Sequence, residues 1–444
     1  MSEPGQSTTT PGAMSAIFAP ETHVQYLLVF EAALARAEAR AGIIPVEAAE
    51  EIASCCHMEL FDVKTLYQQA ALAGTPVIPL VKMLTARVEA PARRFVHWGA
   101  TSQDAIDTAL MLQMREGLNL LGSSAEAICA SCAQLAEQHR HTLMAGRTLM
   151  QQALPITFGL KAAHWLAQVT RQARALRAHR QHTLAVQFGG AAGTLAALGA
   201  SGPRVARLLA EELHLTLPEL PWHTERDRVA EIAATLGIVA GSMAKIARDI
   251  ILLAQTEVGE VAEGSAPGKG GSSAMPQKHN PVDSITAVAS ARLALGLVPV
   301  IFSALPQEHE RAAGGWQTEW QALPALFEYT ASAVEHMRAA LAGLQVDPAR
   351  MRANLEITRG LIMAEALATA LAGRLGKPEA YRLVETLSKQ VSSSDQTLLQ
   401  ATQASAQVKA AFTSEELAST LDPTNYLGST DIFIDRALAS YRKL

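Results

Sequence analysis

Residues 264–281 hold the densest set of chemically useful groups in this sequence. Four glycines fall between Gly264 and Gly271, and each glycine costs conformational entropy on folding. A connection between two helices needs only a few residues. The length and glycine content of this segment therefore predict a mobile loop that binds a ligand.

The polar groups of this loop indicate the kind of ligand. The side chains concerned are Lys269, Ser272, Ser273, Lys278 and Asn280. Together with backbone N–H groups they could surround an anion, which suggests a carboxylate. A serine hydroxyl becomes a useful base only if its anion is stabilised by oriented N–H donors and a nearby cation. Gly271 and Lys278 could supply both.

The loop does not match a nucleotide-binding phosphate loop. Gly264 and Gly268 stand one residue too close for the pattern G-x-x-x-x-G-K-[ST], and Lys269 is followed by Gly270 in place of serine or threonine. No predicted strand precedes the loop. Carboxylate chemistry is therefore the better interpretation.

A second polar cluster covers residues 93–104, just before a predicted helix. Helix N-termini bind anions readily, so Thr101 and Ser102 could bind a ligand there. Alternatively, Thr101, Ser102 or Asp104 simply caps the helix. His97 is likewise either a packed side chain or a functional one.

Two further polar segments interrupt apolar stretches. In residues 146–159, Gln152 follows another glutamine, which suggests recognition of a ligand and not proton transfer. In residues 306–316, Glu310 and Arg311 could be part of a site or could form a solvated ion pair.

Hydrophobic periodicity predicts the long helices that must position these segments. Between residues 226 and 263, apolar residues recur at alternating steps of three and four, as in a heptad seam. The seam residues are Val229, Ile232, Leu236, Val239, Met243, Ile246, Ile250 and Leu253. At about 1.5 Å per residue such a helix would be roughly 50 Å long, so it needs long neighbours.

Other apolar stretches could supply those neighbours. They cover residues 106–135, 158–184, 282–305 and 323–344. A solitary bundle of such helices would expose apolar seams, which either an oversized monomer core or an interface between copies must cover. The interface is favoured, so the sequence predicts a homo-oligomer.

A shorter amphipathic helix is predicted near the N-terminus, over residues 26–41. Leu27, Phe30 and Leu34 fall on one face, and Gly42 follows as a C-terminal glycine. The next helix is predicted to start at Pro45.

Composition and charge narrow the functional class. With 37 Lys and Arg against 42 Asp and Glu, the formal net charge is −5, without the basic excess of a nucleic-acid-binding protein. No apolar run is expected to reach the length of a membrane span, and residues 1–20 are polar and contain proline, unlike an export signal. A cytoplasmic protein with a disordered or loosely packed N-terminal tail is expected.

The four cysteines do not indicate a metal site. They are Cys55, Cys56, Cys129 and Cys132. The C-x-x-C spacing of the second pair has no accompanying ligand set, so buried thiols are favoured over zinc.

Fold class and domains follow from composition and length. Abundant alanine, 5% aromatic residues and scarce alternating β-branched runs predict an all-α fold. The predicted domains are an N-terminal helical domain (1–104), a central bundle of long helices (105–350) and a small C-terminal helical domain (351–444). Within the last, helices are predicted over residues 354–376 and 377–391.

Taken together, these segments resemble the fumarase/aspartase superfamily. Its loop pattern G-S-S-x-M-P-x-K-x-N is matched by Gly271, Ser272, Ser273, Met275, Pro276, Lys278 and Asn280. Residues 97–104 and 146–159 are similar to the family's first and second conserved segments, so the resemblance covers nearly the whole chain. It implies a three-domain, all-α homotetramer, each active site being built from three subunits, with no metal or organic cofactor.

Within the superfamily, the chain is most similar to a branch of cycloisomerases, which close an unsaturated polycarboxylate to a lactone during aromatic breakdown. The nearest alternative is a fumarate-releasing lyase such as adenylosuccinate lyase, and a catalytically silent relative is the third. That lyase has histidines where this chain has Leu149 and Gln152, and an arginine at the position of Trp320. A carboxylate that attacks or leaves needs no proton, so the missing histidines favour ring closure.

The resemblance also implies roles for individual residues. Ser272 is expected to transfer the proton, Lys278 to hold a substrate carboxylate, and His97 to assist proton transfer or charge balance. The expected substrate-binding residues are Arg93, Thr101, Ser102, Gln152, Lys269, Ser273, Met275, Asn280 and Arg311. The expected substrate is a small polycarboxylate.

Overall fold

A computed structural model of the chain describes residues 10–444. Helices α1 to α9 span Thr10–Ile17, Pro20–Arg40, Val46–Ser54, Val63–Ala73, Val77–Arg87, Ser102–Gln138, Phe158–His182, Gly202–Leu213 and Asp227–Leu253. Helices α10 to α18 span Val282–Ser303, Gly315–Ala342, Pro348–Leu355, Ala364–Leu375, Lys377–Ser392, Leu398–Ala404, Ala406–Ala411, Ser414–Thr420 and Thr430–Tyr441. Strands β1 to β4 span Leu143–Thr148, Gln151–Thr157, Val261–Ala262 and Gln345–Val346. The predicted all-α fold class is confirmed.

The strands form two small antiparallel ribbons, β1 with β2 and β3 with β4. They were not predicted. Strands β3 and β4 have two residues each and pair across a long stretch of the chain, whereas β1 and β2 form a local hairpin whose turn residues, Leu149 and Met150, are not typical of a tight turn. The β1–β2 hairpin carries most of the polar segment 146–159, and β3 precedes the glycine-rich loop.

The predicted heptad seam lies on α9, and all eight of its residues are buried. The predicted end of that helix is wrong, because α9 stops at Leu253 and not at residue 263. Beyond it, the Glu260 N–H donates to the Leu253 carbonyl at 2.8 Å, and Gly259 adopts a φ of 62° that glycine tolerates. The chain therefore folds back into β3 in place of another helical turn.

The N-terminal helices largely match the prediction. Leu27, Phe30 and Leu34 are buried on α2, Gly42 is left-handed with a φ of 77°, and Pro45 precedes α3. The predicted loose tail over residues 1–20 is wrong where it can be judged, because α1 is helical and its Met14 is fully buried. Residues 1–9 lie outside the described part.

By its internal packing the chain divides into two compact units. The first unit comprises Met1–Ala125, Gln172–Ala244 and Thr286–His336, and the second unit comprises Glu126–Arg171, Lys245–Ile285 and Met337–Leu444. This division is of a different kind from the three segments 1–104, 105–350 and 351–444, which stay a prediction.

The C-terminal part of the second unit has its own apolar core, to which α13 and α14 contribute Leu367, Leu371 and Leu387. The helix predicted over residues 377–391 is confirmed as α14. The single helix predicted over residues 354–376 is wrong. Arg359 and Gly360 adopt left-handed φ values of 51° and 87°, which separate α12 from α13.

Helix α10 has an unusually exposed apolar surface. Within residues 10–444 it is the one helix long and apolar enough to cross a membrane by length and composition, so the expectation that no apolar run reaches that length is wrong. Only 28% of its most apolar stretch is buried. Its exposed apolar side chains are Ile285, Leu293, Leu295, Val300 and Phe302. An exposed apolar surface of this kind is typical of an interaction site.

Three of the four cysteines are buried, as predicted. They are Cys56, Cys129 and Cys132, while Cys55 is half-buried and none forms a disulfide. Burial raises the pKa of the Cys56 and Cys132 thiols.

Candidate active site

The glycine-rich loop is fixed at its base in the second unit. The Glu263 carboxylate accepts hydrogen bonds from the N–H groups of Asp283 (3.1 Å) and Ser284 (2.7 Å), the second and third residues of α10. A carboxylate suits the positive end of a helix dipole. The Lys269 ammonium lies 2.6 Å from the Asp283 carboxylate, so this cation is already paired. Its predicted contact with the substrate would require that pair to open.

A second closure joins the two sides of the loop. The Asn280 N–H donates to the Gly270 carbonyl at 2.8 Å, and the Asn280 amide Nδ2 donates to the carbonyls of Gly270 (3.1 Å) and Gly271 (3.4 Å). The amide nitrogen of Asn280 therefore holds the loop closed. The amide oxygen Oδ1 of Asn280 takes no part in these hydrogen bonds.

Replacing Gly270 should damage the loop without unfolding the protein. Gly270 has a φ of 72°, and an added Cβ would lie 2.7 Å from the Asn280 carbonyl oxygen, a backbone atom that cannot move alone. We expect Gly270→Ala to lower kcat/KM by about 10²-fold, since misplacement of a reacting group by about 1 Å has that effect. The melting temperature should change little.

The matched control is Gly268→Ala, because Gly268 also has a left-handed φ, of 80°, but a methyl group added there would meet nothing within 4 Å. Steady-state kinetics of the two variants separate the clash from the backbone strain that both share. Equal losses in both would contradict the role given to the closure.

Ser272 lies at the start of the exposed tip that this closure supports. Ser272 is half-buried as a residue, and its hydroxyl oxygen accepts hydrogen bonds from the N–H groups of Met275 (3.1 Å) and Ala274 (3.4 Å). N–H donors aimed at an oxygen stabilise its anion and lower its pKa. The N–H donors that reach the Ser272 oxygen therefore come from Ala274 and Met275 and not from Gly271. The proton-transfer role of Ser272 stays a prediction.

The remaining predicted groups of the tip are exposed. Lys278, Ser273 and Met275 all lie at the surface of this copy of the chain. The Lys278 ammonium has no ion-pair partner among residues 10–444, which leaves a cation free to meet an anionic ligand. The roles predicted for these side chains stay predictions.

The β1–β2 hairpin is anchored to the segment just before the loop. Arg147 donates two hydrogen bonds to the buried Glu260 carboxylate, at 3.0 and 2.7 Å, and the Asn354 amide donates to the same carboxylate at 2.7 Å. Gln152 Nε2 donates to the Asn354 carbonyl at 2.8 Å, while its Oε1 is buried without a partner among residues 10–444. The amide of Gln152 is therefore partly engaged in this network, and only its oxygen is unpaired.

The tip of the hairpin is strained and apolar. Leu149 and Met150 have φ values of 48° and 68°, and their side chains are 97% and 71% exposed. Left-handed conformations are costly for residues other than glycine, and they persist where surrounding structure requires them. The exposed tip is therefore a second apolar feature that a single copy leaves uncovered.

In the first unit, the start of α6 combines a helix cap with a paired histidine. Asp104 Oδ2 accepts from the Thr101 N–H at 3.0 Å, and α6 begins at Ser102, so capping is confirmed here. His97 Nδ1 lies 2.7 Å from an oxygen of Glu31 on α2. Burial lowers the pKa of His97, but the charge and hydrogen bond of Glu31 outweigh it, and the net effect is a raised pKa.

Asp104 also organises a neighbouring glycine-rich turn. Its two oxygens accept the N–H groups of Gly189 (3.0 Å) and Gly190 (2.9 Å), and His223 Nε2 lies 2.8 Å from Oδ1. The side chain is fully buried. Asp104 therefore positions this turn beside the helix terminus and is not available to a ligand.

The two arginines predicted to bind substrate are engaged within the first unit. Arg311 donates to Gln103 Oε1 and to the Ala191 carbonyl, both at 3.1 Å. Arg93 donates through Nε to the Val88 carbonyl at 3.0 Å. Both keep further N–H groups, so their predicted contacts with a carboxylate stay predictions.

Behind α6 lies a buried ionic cluster. Arg226 donates to both oxygens of Asp107 (2.8 and 3.0 Å) and to both of Glu319 (3.0 and 2.5 Å), and Trp316 Nε1 donates to Asp107 at 3.0 Å. Burial lowers the pKa of Arg226, but Asp107 and Glu319 raise it by a larger amount. The guanidinium therefore stays charged. The cluster links α6, α11 and the residue just before α9 within the first unit.

The structure thus places the predicted residues in two groups, one in each unit. The first unit holds Arg93, His97, Thr101, Ser102 and Arg311, and the second holds Gln152, Lys269, Ser272, Ser273, Met275, Lys278 and Asn280. Sequence reasoning missed Glu31, Arg147 and Arg226. Only Glu31 left a signal, because it follows Leu27 by four residues on the apolar stripe of α2, where a charged side chain is unexpected.

Comparisons with known proteins identify the relatives of this chain. A family model described as Lyase matches residues 5–293, and one described as Adenylosuccinate lyase C-terminus matches residues 360–437. The chain is 47% identical to the 3-carboxy-cis,cis-muconate cycloisomerase of Pseudomonas aeruginosa, over 97% of this chain and 95% of the relative. It is 48% identical to that of Bradyrhizobium diazoefficiens, over 97% and 96%. The crystal structure of the 3-carboxy-cis,cis-muconate lactonizing enzyme from Pseudomonas putida matches with a TM-score of 0.91 and 43% identity, covering 97% of both chains.

Proposed function

This chain belongs to the lyase family of the fumarase/aspartase superfamily, and on that premise we propose that it converts 3-carboxy-cis,cis-muconate to a carboxymuconolactone. The enzyme is then a cycloisomerase of protocatechuate breakdown, in the β-ketoadipate pathway. The observation that carries the proposal from the site is the Ser272 hydroxyl held under two N–H donors on a closed loop.

The reaction is an intramolecular addition that takes up one proton, because one ionised carboxylate of the substrate becomes the neutral ester group of the lactone. A carboxylate oxygen of the substrate forms a bond to one alkene carbon, the π electrons move to the neighbouring carbon, and that carbon receives a proton. Negative charge builds up on the carboxylate beside the carbon that is protonated. Catalysis therefore needs a placed proton donor and fixed positive groups around that carboxylate.

Ser272 supplies the proton in this proposal. Once the proton leaves, the alkoxide is stabilised by the N–H groups of Ala274 and Met275, and the Lys278 ammonium provides the nearby cation. Lys278 and the N-terminus of α6 at Thr101 and Ser102 hold the substrate carboxylates. Asn280 would join them through its amide Nδ2, which must first release the carbonyls of Gly270 and Gly271. The proton on Ser272 is restored from solvent before the next turnover.

Absorbance assays test the proposal directly. Purified protein should bleach the diene absorbance of 3-carboxy-cis,cis-muconate and leave adenylosuccinate unchanged. Turnover of adenylosuccinate alone would favour the fumarate-releasing lyase, for which the match of residues 360–437 to an adenylosuccinate lyase C-terminal model is the supporting observation. Inactivity on both would favour a catalytically silent relative.

Self-association is part of the same proposal. The apolar surface of α10 and the exposed hairpin tip both need a cover, and a homotetramer in the cytoplasm would provide it. Charged and catalytic groups that fall in different units of one chain would then meet as parts of composite sites built from several copies. No nucleic-acid partner is proposed, since the net charge is −5.

A charge placed on the exposed surface of α10 should break this assembly. Leu293 is 53% exposed, and Leu293→Glu would bring a carboxylate into the proposed interface, where desolvation is costly. Light scattering in buffer without detergent should give about four times the 47.2 kDa chain mass for the wild type and a smaller mass for this variant.

The matched control for that variant is Leu72→Glu, because Leu72 on α4 is 92% exposed and should remain solvated in the assembly. It should keep the wild-type mass. A wild-type protein that runs as a monomer, or one that needs detergent to stay in solution, would contradict the proposed tetramer.

A further inference from the structure

Two glutamates are buried on the otherwise apolar stripe of α2. Glu31 is 2% exposed and Glu38 is fully buried. One oxygen of Glu31 meets His97, while its other oxygen and both oxygens of Glu38 have no partner among residues 10–444. Buried polar atoms without partners are rare in proteins and call for an explanation. Packing alone does not provide one, because apolar side chains would fill this stripe at lower cost.

The two carboxyl groups differ in charge at neutral pH. Burial, together with the charge of Glu31, raises the pKa of Glu38 to about 9, so Glu38 is protonated and neutral. The negative charge of the pair then resides on Glu31, at 2.7 Å from His97 Nδ1. An ionised carboxylate only accepts hydrogen bonds, so the proton of this contact belongs to the imidazole.

The backbone of His97 has an uncommon conformation. His97 has a φ of 59°, a left-handed conformation that is uncommon for residues other than glycine. The ring thereby reaches Glu31 through Nδ1, and Nε2 has no partner among residues 10–444. His97 stands five residues before Ser102, where α6 begins and where substrate carboxylates are proposed to bind.

We propose that Glu31 is a positioning residue that keeps His97 as an imidazolium and directs its Nε2–H towards a carboxylate of the substrate. The catalytic half of this assignment rests on the proposed function, whereas the effect of Glu31 on His97 does not. The role fits the ligand, since a tricarboxylate needs cations and the nearby Arg93 and Arg311 are engaged with backbone and amide oxygens.

The other titratable groups around the pair do not take over this role. Asp104 on α6 also raises the pKa of His97, but it contributes less than Glu31 does. The oxygens of Asp104 are already occupied by N–H donors and His223. The Cys56 thiol faces Glu31 and is neutral, because burial raises its pKa. Glu31 is thus the group whose removal should change the protonation of His97.

The sign of the pH dependence follows. The pKa of folded His97 lies above its ordinary value, so the cation is present below that pKa and is lost as the pH rises through it. Substrate affinity that depends on the imidazolium should weaken over the same interval. Removing the charge of Glu31 should move this interval to lower pH.

The test compares Glu31→Gln with Glu38→Gln in the full-length protein. The two changes are chemically identical and lie on the same helix, but the second replaces a group that is already neutral. Histidine deuterium exchange, read by mass spectrometry, gives the pKa of His97 without any turnover. Glu31→Gln should lower it by about one unit or more, and Glu38→Gln should leave it near the wild-type value.

Steady-state kinetics with 3-carboxy-cis,cis-muconate provide the second readout. The descending limb of kcat/KM against pH should shift with the His97 pKa in Glu31→Gln, chiefly through a KM raised about tenfold at neutral pH, while kcat falls less. Glu31→Asp keeps the charge and should restore part of both effects, which a purely structural role would not predict.

An unchanged His97 pKa in Glu31→Gln, or an equal shift in Glu38→Gln, would overturn the assignment. So would a fall in kcat at constant KM. If no variant and no wild-type protein turns over the substrate, the proposed function fails, and the exchange measurement still decides whether Glu31 controls His97.

Discussion

Replacing Ser272 with alanine should abolish turnover of 3-carboxy-cis,cis-muconate while leaving the assembly intact. The variant removes the group that donates the proton to carbon, and positioned acid–base groups contribute about 10²–10⁴-fold to rates. Because Ser272 is half-buried on a loop and only accepts two backbone hydrogen bonds, its hydroxyl adds little to stability. The loss of activity should therefore appear as a lower kcat, and the mass measured by light scattering should be unchanged.

Ser265→Ala is the matched control for this experiment. Ser265 is an exposed serine in the same loop, on the far side of the closure between Gly270 and Asn280, and the proposed mechanism gives it no role. Its variant should turn over substrate at the wild-type rate. Near-normal turnover in Ser272→Ala would falsify the proton-transfer role and would direct attention to another donor.

Arg226→Met should have the largest effect on stability. Arg226 neutralises Asp107 and Glu319, and both carboxylates are buried. Breaking a buried ion pair by removing one partner costs about 3–5 kcal/mol, since it leaves charge uncompensated in the interior. Thermal unfolding at a fixed protein concentration should show a lower melting temperature, and soluble yield should fall with it.

Arg207→Met is the control for the loss of stability expected in Arg226→Met. Arg207 pairs with Glu211 at 2.9 Å, but the two side chains are 55% and 46% exposed, and such pairs contribute about 0–1 kcal/mol. The same chemical change at the surface should leave the melting temperature nearly unaltered. If Arg226→Met melts like Arg207→Met, the ionic cluster does not stabilise the first unit as described.

Periodicity was a reliable guide to the helices, because burial of one face acts over the whole length of an element. It predicted every buried residue of the α9 seam but not where the helix stops. The stop at Leu253 depends on Glu260, whose carboxylate is bound by Arg147 and Asn354 from distant parts of the chain. No local pattern in the sequence reports contacts of that kind.

In the candidate site, too, the sequence predicted local features but not contacts between residues that are distant along the chain. The loop motif pointed to Ser272, and the structure supplies N–H donors for its oxygen from the next turn of the loop. The motif could not show that Lys269 pairs with Asp283, or that Glu31 faces His97, because these contacts arise only from the folded chain. The β1–β2 hairpin was missed because Leu149 and Met150 are not the glycine or asparagine that usually mark a tight turn.

The buried cysteines give the protein a simple thiol chemistry. Thiolates, not thiols, react with alkylating reagents and oxidants, and burial disfavours the thiolate at Cys56 and Cys132. Cys129 is enclosed as well, which leaves Cys55, at the end of α3, as the one accessible sulfur among the four. Under mild labelling conditions the unaltered chain should therefore accept a single fluorophore, so the proposed self-association could be followed by energy transfer without engineering a cysteine.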